Sequence, residues 1–195
     1  MKLIGLTGGI GCGKTTVLQE FQRQDIPCFV ADTQAARYYQ EPAFLEKLRI
    51  LFGKEIITTE GTADKIALAQ IVFHDKTKLA QLNQLIHPRV WDDFIDFSKA
   101  NRQAPFVIFE SAILYEYHFD QRVDKVICVY LDFEERMRRL LIRDKSNREA
   151  LLARMNNQLE AEEKLDRADY VILNYEGNPR SRQVEWIRKQ IESLP

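Results

Sequence analysis

Apolar residues gather in five short runs: LIGLT at 3–7, CFV at 28–30, FVIF at 106–109, VICVYL at 126–131 and YVIL at 170–173. Runs this short, bounded by polar or glycine-containing segments, read as buried strands. Between them the spacing turns helical, beginning with Val17, Leu18 and Phe21 directly behind a cluster of glycines. Alternation of strand and helix predicts an α/β fold, a parallel sheet with helices on both faces.

From Glu41 to Asn101 the strand signal nearly disappears, and AFLEKLRILF, ALAQIVF and LAQLNQLI carry helical spacing instead. This stretch reads as a helical insertion standing over the sheet. A turn is expected at 174–179, then a last amphipathic helix on Val184, Ile187 and Ile191. No internal repeat is evident, and 195 residues suit one domain with a large insertion.

Composition narrows the partners. With 45% hydrophobic and 29% charged residues the chain has a globular make-up, and a net charge of -1 offers no broad basic face for a nucleic-acid backbone. Cys12, Cys28 and Cys128 lack the spacing of a zinc site or a disulfide framework. No apolar stretch approaches the roughly 20 residues of a membrane span, and glycines interrupt any signal-peptide pattern at the N-terminus. A cytoplasmic protein with no nucleic-acid, membrane or obligate protein partner is expected.

The chemistry starts at GLTGGIGCGKTT. Gly8, Gly13, Lys14 and Thr15 satisfy GxxxxGK[ST], with a strand before and a helix after, the context of a P-loop. Glycines let the backbone turn its N–H groups toward a phosphate at a helix N-terminus. Gly8, Gly9, Gly11, Cys12, Gly13, Lys14, Thr15 and Thr16 are the expected nucleotide contacts, with Lys14 bridging β- and γ-phosphates and the Thr15 hydroxyl on Mg²⁺. The Cys12 side chain reads as loop filler with no chemistry. The chain has neither the guanine-reading NKxD of GTPases nor a transporter signature, so a small-molecule or nucleotide kinase leads.

Asp32, in FVADTQAARYY, falls at the C-terminal end of the second strand, where ligands collect in such sheets. It fits a base for a substrate hydroxyl and equally a cap on the next helix. Arg136, Arg139 and Arg143, at i, i+3 and i+7, share one helix face, with Met137, Leu140 and Leu141 toward another. That face can meet triphosphate oxygens, and an arginine offers charge in fixed planar geometry; Arg143 is expected to be catalytic, with Arg139 its helper.

The segment LFGKEIITTEGTADKIALAQIVFHDKTKLAQLNQLIHPRV resembles the dephospho-coenzyme A kinase family, through its Phe-Gly pair, its acidic-glycine turn, its Val-Phe run, and Leu82, Asn83, Ile86, His87 and Pro88. GLTGGIGCGKTT, VAD, RLLIRDKSNREALLARMNNQ and ADYVILN match further family segments, so the resemblance spans nearly the whole chain. It implies transfer of the γ-phosphate of ATP to the 3'-hydroxyl of the ribose in dephospho-coenzyme A, with Asp32 as base. Arg37 and His87 would then hold the substrate, together with Thr7, Glu110 and Glu116, and Asn174 would stand on the adenine side. Glu110, at a strand end, is also a candidate for the magnesium shell. Ala112 replaces the family's usual proline, and NYEG its asparagine-asparagine-glycine.

The expected architecture is therefore a P-loop three-layer α/β/α fold. Its nucleotide core comprises 1–40, 102–132 and 169–195, its substrate domain 41–101, and its helical lid 133–168. Two rivals are another small-molecule kinase on the same scaffold and a nucleotide-sensing module that transfers nothing.

Overall fold

In the computed structural model, which describes residues 1–73 and 75–195 with Phe73 as backbone alone, the five apolar runs form one five-stranded sheet. The strands are β1 (Lys2–Thr7), β2 (Cys28–Val30), β3 (Phe106–Glu110), β4 (Lys125–Tyr130) and β5 (Tyr170–Leu173), in the order β2-β3-β1-β4-β5. The sheet is parallel, as the alternating pattern required. β1 is central and covered on both faces: Ile4 and Leu6 are wholly buried on one, and Gly5 and Thr7 are buried on the other. Its register sets Leu6 beside Glu110 and Thr7 beside Cys128, which aligns the strand ends from which the glycine loop leaves.

Contacts divide the chain into two compact units, Met1–Phe29 with Phe97–Pro195, and Val30–Asp96. The boundary differs from the expected one at both ends of the insertion, since the helix carrying Asp32 and Arg37 falls in the second unit. Residues 133–168 form no unit of their own.

The first unit flanks the sheet with α1 (Lys14–Gln22), which buries Val17, Leu18 and Phe21. Three of its later helices are α6 (Phe133–Asp144), α7 (Arg148–Met155) and α8 (Ala161–Asp166). The last, α9 (Arg180–Ser193), buries Val184, Ile187 and Ile191, the three residues of the expected amphipathic face. In α6 the side chain of Asp132 accepts the Glu135 amide at 2.9 Å, an N-cap that satisfies one of the free donors of the first turn. Met137 and Leu140 are buried, whereas Leu141, expected beside them, is 37% exposed. At 100° per residue Leu141 lies one step past the edge of that stripe.

The second unit contains α2 (Ala31–Tyr38), α3 (Pro42–Phe52), α4 (Lys65–Phe73) and most of α5 (Lys76–Ala100). α3 opens on proline, whose missing N–H costs nothing there, and buries Phe44, Leu48 and Phe52 at intervals of four. α5 buries Leu82, Ile86, Val90 and Phe94 at the same interval and runs on through Pro88. Pro88 is exposed, so water can satisfy the carbonyl its ring leaves without a donor. His87 is therefore mid-helix. No described helix is long and apolar enough to cross a membrane.

Candidate active site

The glycine loop joins β1 to α1. Gly13 is the N-cap of α1 at φ 88°, a left-handed conformation that costs an L-residue energy. A Cβ there would also run into Nδ2 of Asn174. Asn174, 1% exposed, sits behind the loop: its amide donates to the Cys12 carbonyl at 2.7 Å and its oxygen accepts from Arg180 at 3.1 Å. Its side chain thus braces the loop from within. Arg139 closes the same corner, donating to the Asn174 carbonyl at 3.0 Å and to Glu135 at 2.8 Å.

At the head of α1, Lys14 Nζ donates to the Gly8 carbonyl at 3.0 Å and lies 3.9 Å from Glu110 Oε1. The ammonium is held across the mouth of the loop, beside amides of a first helical turn that have no acceptor within the helix. This is the geometry of an anion site. Thr15 is exposed and Thr16 half-buried on the same turn. Cys12 is 1% exposed, and burial pushes its thiol up, away from the reactive thiolate, in keeping with a filler of the loop.

The oxygens available here suit a hard cation. Thr15 hydroxyl and Glu110 carboxylate are the oxygen donors that Mg²⁺ takes, one or two from protein with the rest from phosphate and water. Among the described residues no cluster of three His, Cys, Asp or Glu could hold a metal by itself.

Two expected substrate contacts are turned inward instead. Thr7 is 0% exposed, and its hydroxyl has no hydrogen-bond partner among the described residues. Glu116 pairs with Lys164 at 2.7 Å and accepts the Leu159 amide at 2.9 Å, which ties the chain after β3 to α8. Lys164 is itself wholly buried, its ammonium also donating to the Ala112 carbonyl at 2.6 Å, and burial lowers its pKa. Both carboxylate and ammonium are thus spent on bracing.

Arg143 lies near the exposed end of α6, paired through two bonds of 2.6 and 3.1 Å with Asp144. Arg154 shares that carboxylate, and the two guanidiniums, Arg143 first, hold Asp144 down at about 2.

Sequence reasoning missed Lys164 and Gln158. The latter accepts the Ile10 amide of the glycine loop at 3.0 Å from 148 positions away, a contact with no local signal.

In the second unit Asp32 and Arg37 are exposed on α2. Asp32 lies on the rim of a cavity of about 320 Å³ lined mainly by apolar side chains, among them Ala35, Ala36, Tyr39 and Leu68. Residues 32, 35, 36 and 39 share one helix face, so the acid and the apolar wall are set by one local spacing. Beneath them Tyr38 and Gln34 donate to Asp93 at 2.6 and 2.7 Å, while the Arg89 guanidinium stacks 4.0 Å from the Tyr38 ring centre. Burial lowers His87 to about 4, so its imidazole is neutral near pH 7 and would hold a ligand by hydrogen bonding rather than by charge.

Residues 2–179 match the family model described as dephospho-CoA kinase. The chain belongs to the dephospho-CoA kinase family. Dephospho-CoA kinases of Listeria monocytogenes and Leptospira interrogans are 36% and 37% identical over 188 and 194 residues, covering 93% and 98% of this chain and 92% and 90% of theirs. A solved Thermus thermophilus protein superimposes with a TM-score of 0.86 at 32% identity, over 100% of this chain and 98% of its own. The dephospho-CoA kinase of Campylobacter jejuni superimposes with a TM-score of 0.61 at 25% identity, over 97% of both chains. Family members are nucleotide-using P-loop kinases, which is the use that the loop, Lys14 and Glu110 fit.

Proposed function

We propose that this family member transfers the γ-phosphate of ATP to the ribose 3'-hydroxyl of dephospho-coenzyme A, giving coenzyme A and ADP. The observation that carries the reading is Lys14, fixed between the Gly8 carbonyl and Glu110 at the head of α1, on a chain whose family supplies the acceptor.

In this reading the loop amides and Lys14 orient the β- and γ-phosphates and withdraw charge from the transferring group. Thr15 and Glu110 would hold Mg²⁺, which when bound neutralises phosphate charge and orients the triphosphate. Asp32 accepts the proton of the 3'-hydroxyl, and the apolar cavity beside it suits the uncharged parts of the acceptor. Arg143 meets the charge on the equatorial oxygens once it leaves Asp144, an exchange made cheap by its exposure, since surface ion pairs contribute only about 0.2–1 kcal/mol. Arg139 supports it, and Arg37 and neutral His87 hold the acceptor.

The test is ADP release from MgATP by the purified chain with dephospho-coenzyme A, adenosine, AMP or no acceptor, product mass confirming one added phosphate. Turnover with dephospho-coenzyme A alone is expected. Equal ADP release with every acceptor, or with none, would sink the acceptor assignment.

A further inference from the structure

We infer that Arg136, on the first turn of α6, is a phosphate-contacting residue of the nucleotide site. The inference rests on the ATP reading above and goes beyond it, because the lid arginines assigned there are Arg139 and Arg143.

Arg136, Arg139 and Arg143 recur along α6 at i, i+3 and i+7, and their charges are compensated unequally. Arg139 pairs with Glu135 and Arg143 with Asp144. Arg136 is 5% exposed, has no ion pair among the described residues, and its Nε has no hydrogen-bond partner. The acids nearest in sequence are committed elsewhere: Asp132 caps the helix, Glu134 pairs with Arg148, and Glu135 serves Arg138 and Arg139. A guanidinium this buried, with its Nε unpartnered and no carboxylate paired to it among the described residues, is costly, and an anion is what would relieve it.

Its position says which anion. α6 lies against the glycine loop: a Cβ on Gly11 would come within 2.8 Å of Leu140 and 3.1 Å of the Arg136 carbonyl. A Cβ on Gly9 would run into Nη1 of Arg136 itself. Gly9 has no positive φ, so its lack of a side chain serves to admit the guanidinium rather than to permit a turn. The group that meets a glycine loop and a lysine at a helix N-terminus is a polyphosphate, and the planar guanidinium matches its oxygens.

The experiment titrates MgATP and inorganic tripolyphosphate calorimetrically into the native full-length chain, Arg136→Gln, Arg136→Lys and Gly9→Ala, with the melting temperature of each measured without ligand. Losing a charge-assisted hydrogen bond predicts ATP and tripolyphosphate binding about 10- to 100-fold weaker in Arg136→Gln, with partial recovery in Arg136→Lys. The ligand-free melting temperature of Arg136→Gln should equal or exceed the native one, since an uncompensated buried charge has gone. Gly9→Ala, which displaces the guanidinium without removing it, should weaken both ligands too, but Gly9 is itself a loop residue, so Arg136→Lys decides the matter if Arg136→Gln does not fold. ATP affinity within about twofold of native in the variants that fold would overturn the inference while leaving the nucleotide reading intact. A native chain that binds neither ligand would overturn both.

Discussion

In the unit that carries the glycine loop, the groups that surround the loop are pinned from behind by buried polar contacts, whereas in the Val30–Asp96 unit Asp32 and Arg37 stand exposed on α2 above an interior that does not involve them. Asn174 holds Cys12, Lys14 holds Gly8, and Gln158 holds Ile10. Among the described residues Asp32 has no such support. The difference teaches that a site for a highly charged ligand is built by preorganisation, which makes its residues part of the fold. Asp32, exposed and outside those contacts, can be removed without disturbing the core, and the base role proposed for it requires reach to the hydroxyl.

The comparison is sharpest where chemistry and stability separate. Asp32→Asn is expected to lower turnover about 10²- to 10⁴-fold, the range for a lost general base, with the melting temperature unchanged. Steady-state kinetics beside a thermal melt would check it, and a stability loss comparable to the activity loss would break the contrast between the units. Gly13→Ala should do the opposite, costing roughly 2–4 kcal/mol of stability through a left-handed backbone and the displaced Asn174, as read by denaturant unfolding. Asn174→Ala removes the bond to the Cys12 carbonyl while leaving the glycine intact, and about 1–2 kcal/mol is expected, with weaker ATP binding following from the loosened loop.

The smallest effect is that of pH on the second unit. His87 titrates at about 4 when folded, against an ordinary 6.5, so the unfolded chain takes up its proton first as pH falls. That contribution is complete above pH 6.5 and is lost progressively down to about 4. Glu135 and Asp144, held at about 2 by their arginine partners, remain ionised across that window. Melting temperature should therefore drop between pH 7 and 5 in the native chain and drop less in His87→Gln; equal drops would remove His87 as the cause.

The strands, the P-loop and the helical character of 41–101 were legible in the sequence because each rests on local spacing: short apolar runs, GxxxxGK[ST], and apolar residues recurring at three and four. Lys14 and Thr15 were legible as members of the motif, whereas Asp32, expected at a strand end or as a helix cap, lies in the first turn of α2, two residues past β2, with Val30 at the cap position. The inward turn of Thr7 and Glu116 was not. Whether a side chain faces a ligand or a neighbour depends on what is packed against it, and Lys164, the neighbour of Glu116, lies 48 positions along the chain.

The sequence by itself determined the α/β class, the anion-holding loop and, through its resemblance, the family, since all three are written in residues near one another or in their order along the chain. Only the tertiary structure decided how Arg136, Arg139 and Arg143 of α6 differ. Their spacing is the same face of one helix, yet Arg136 is buried and uncompensated against Gly9 while Arg143 is exposed and paired with Asp144. The physical reason is that a charge is defined by its surroundings. Those surroundings are assembled from a loop more than a hundred positions away, which helical spacing does not specify.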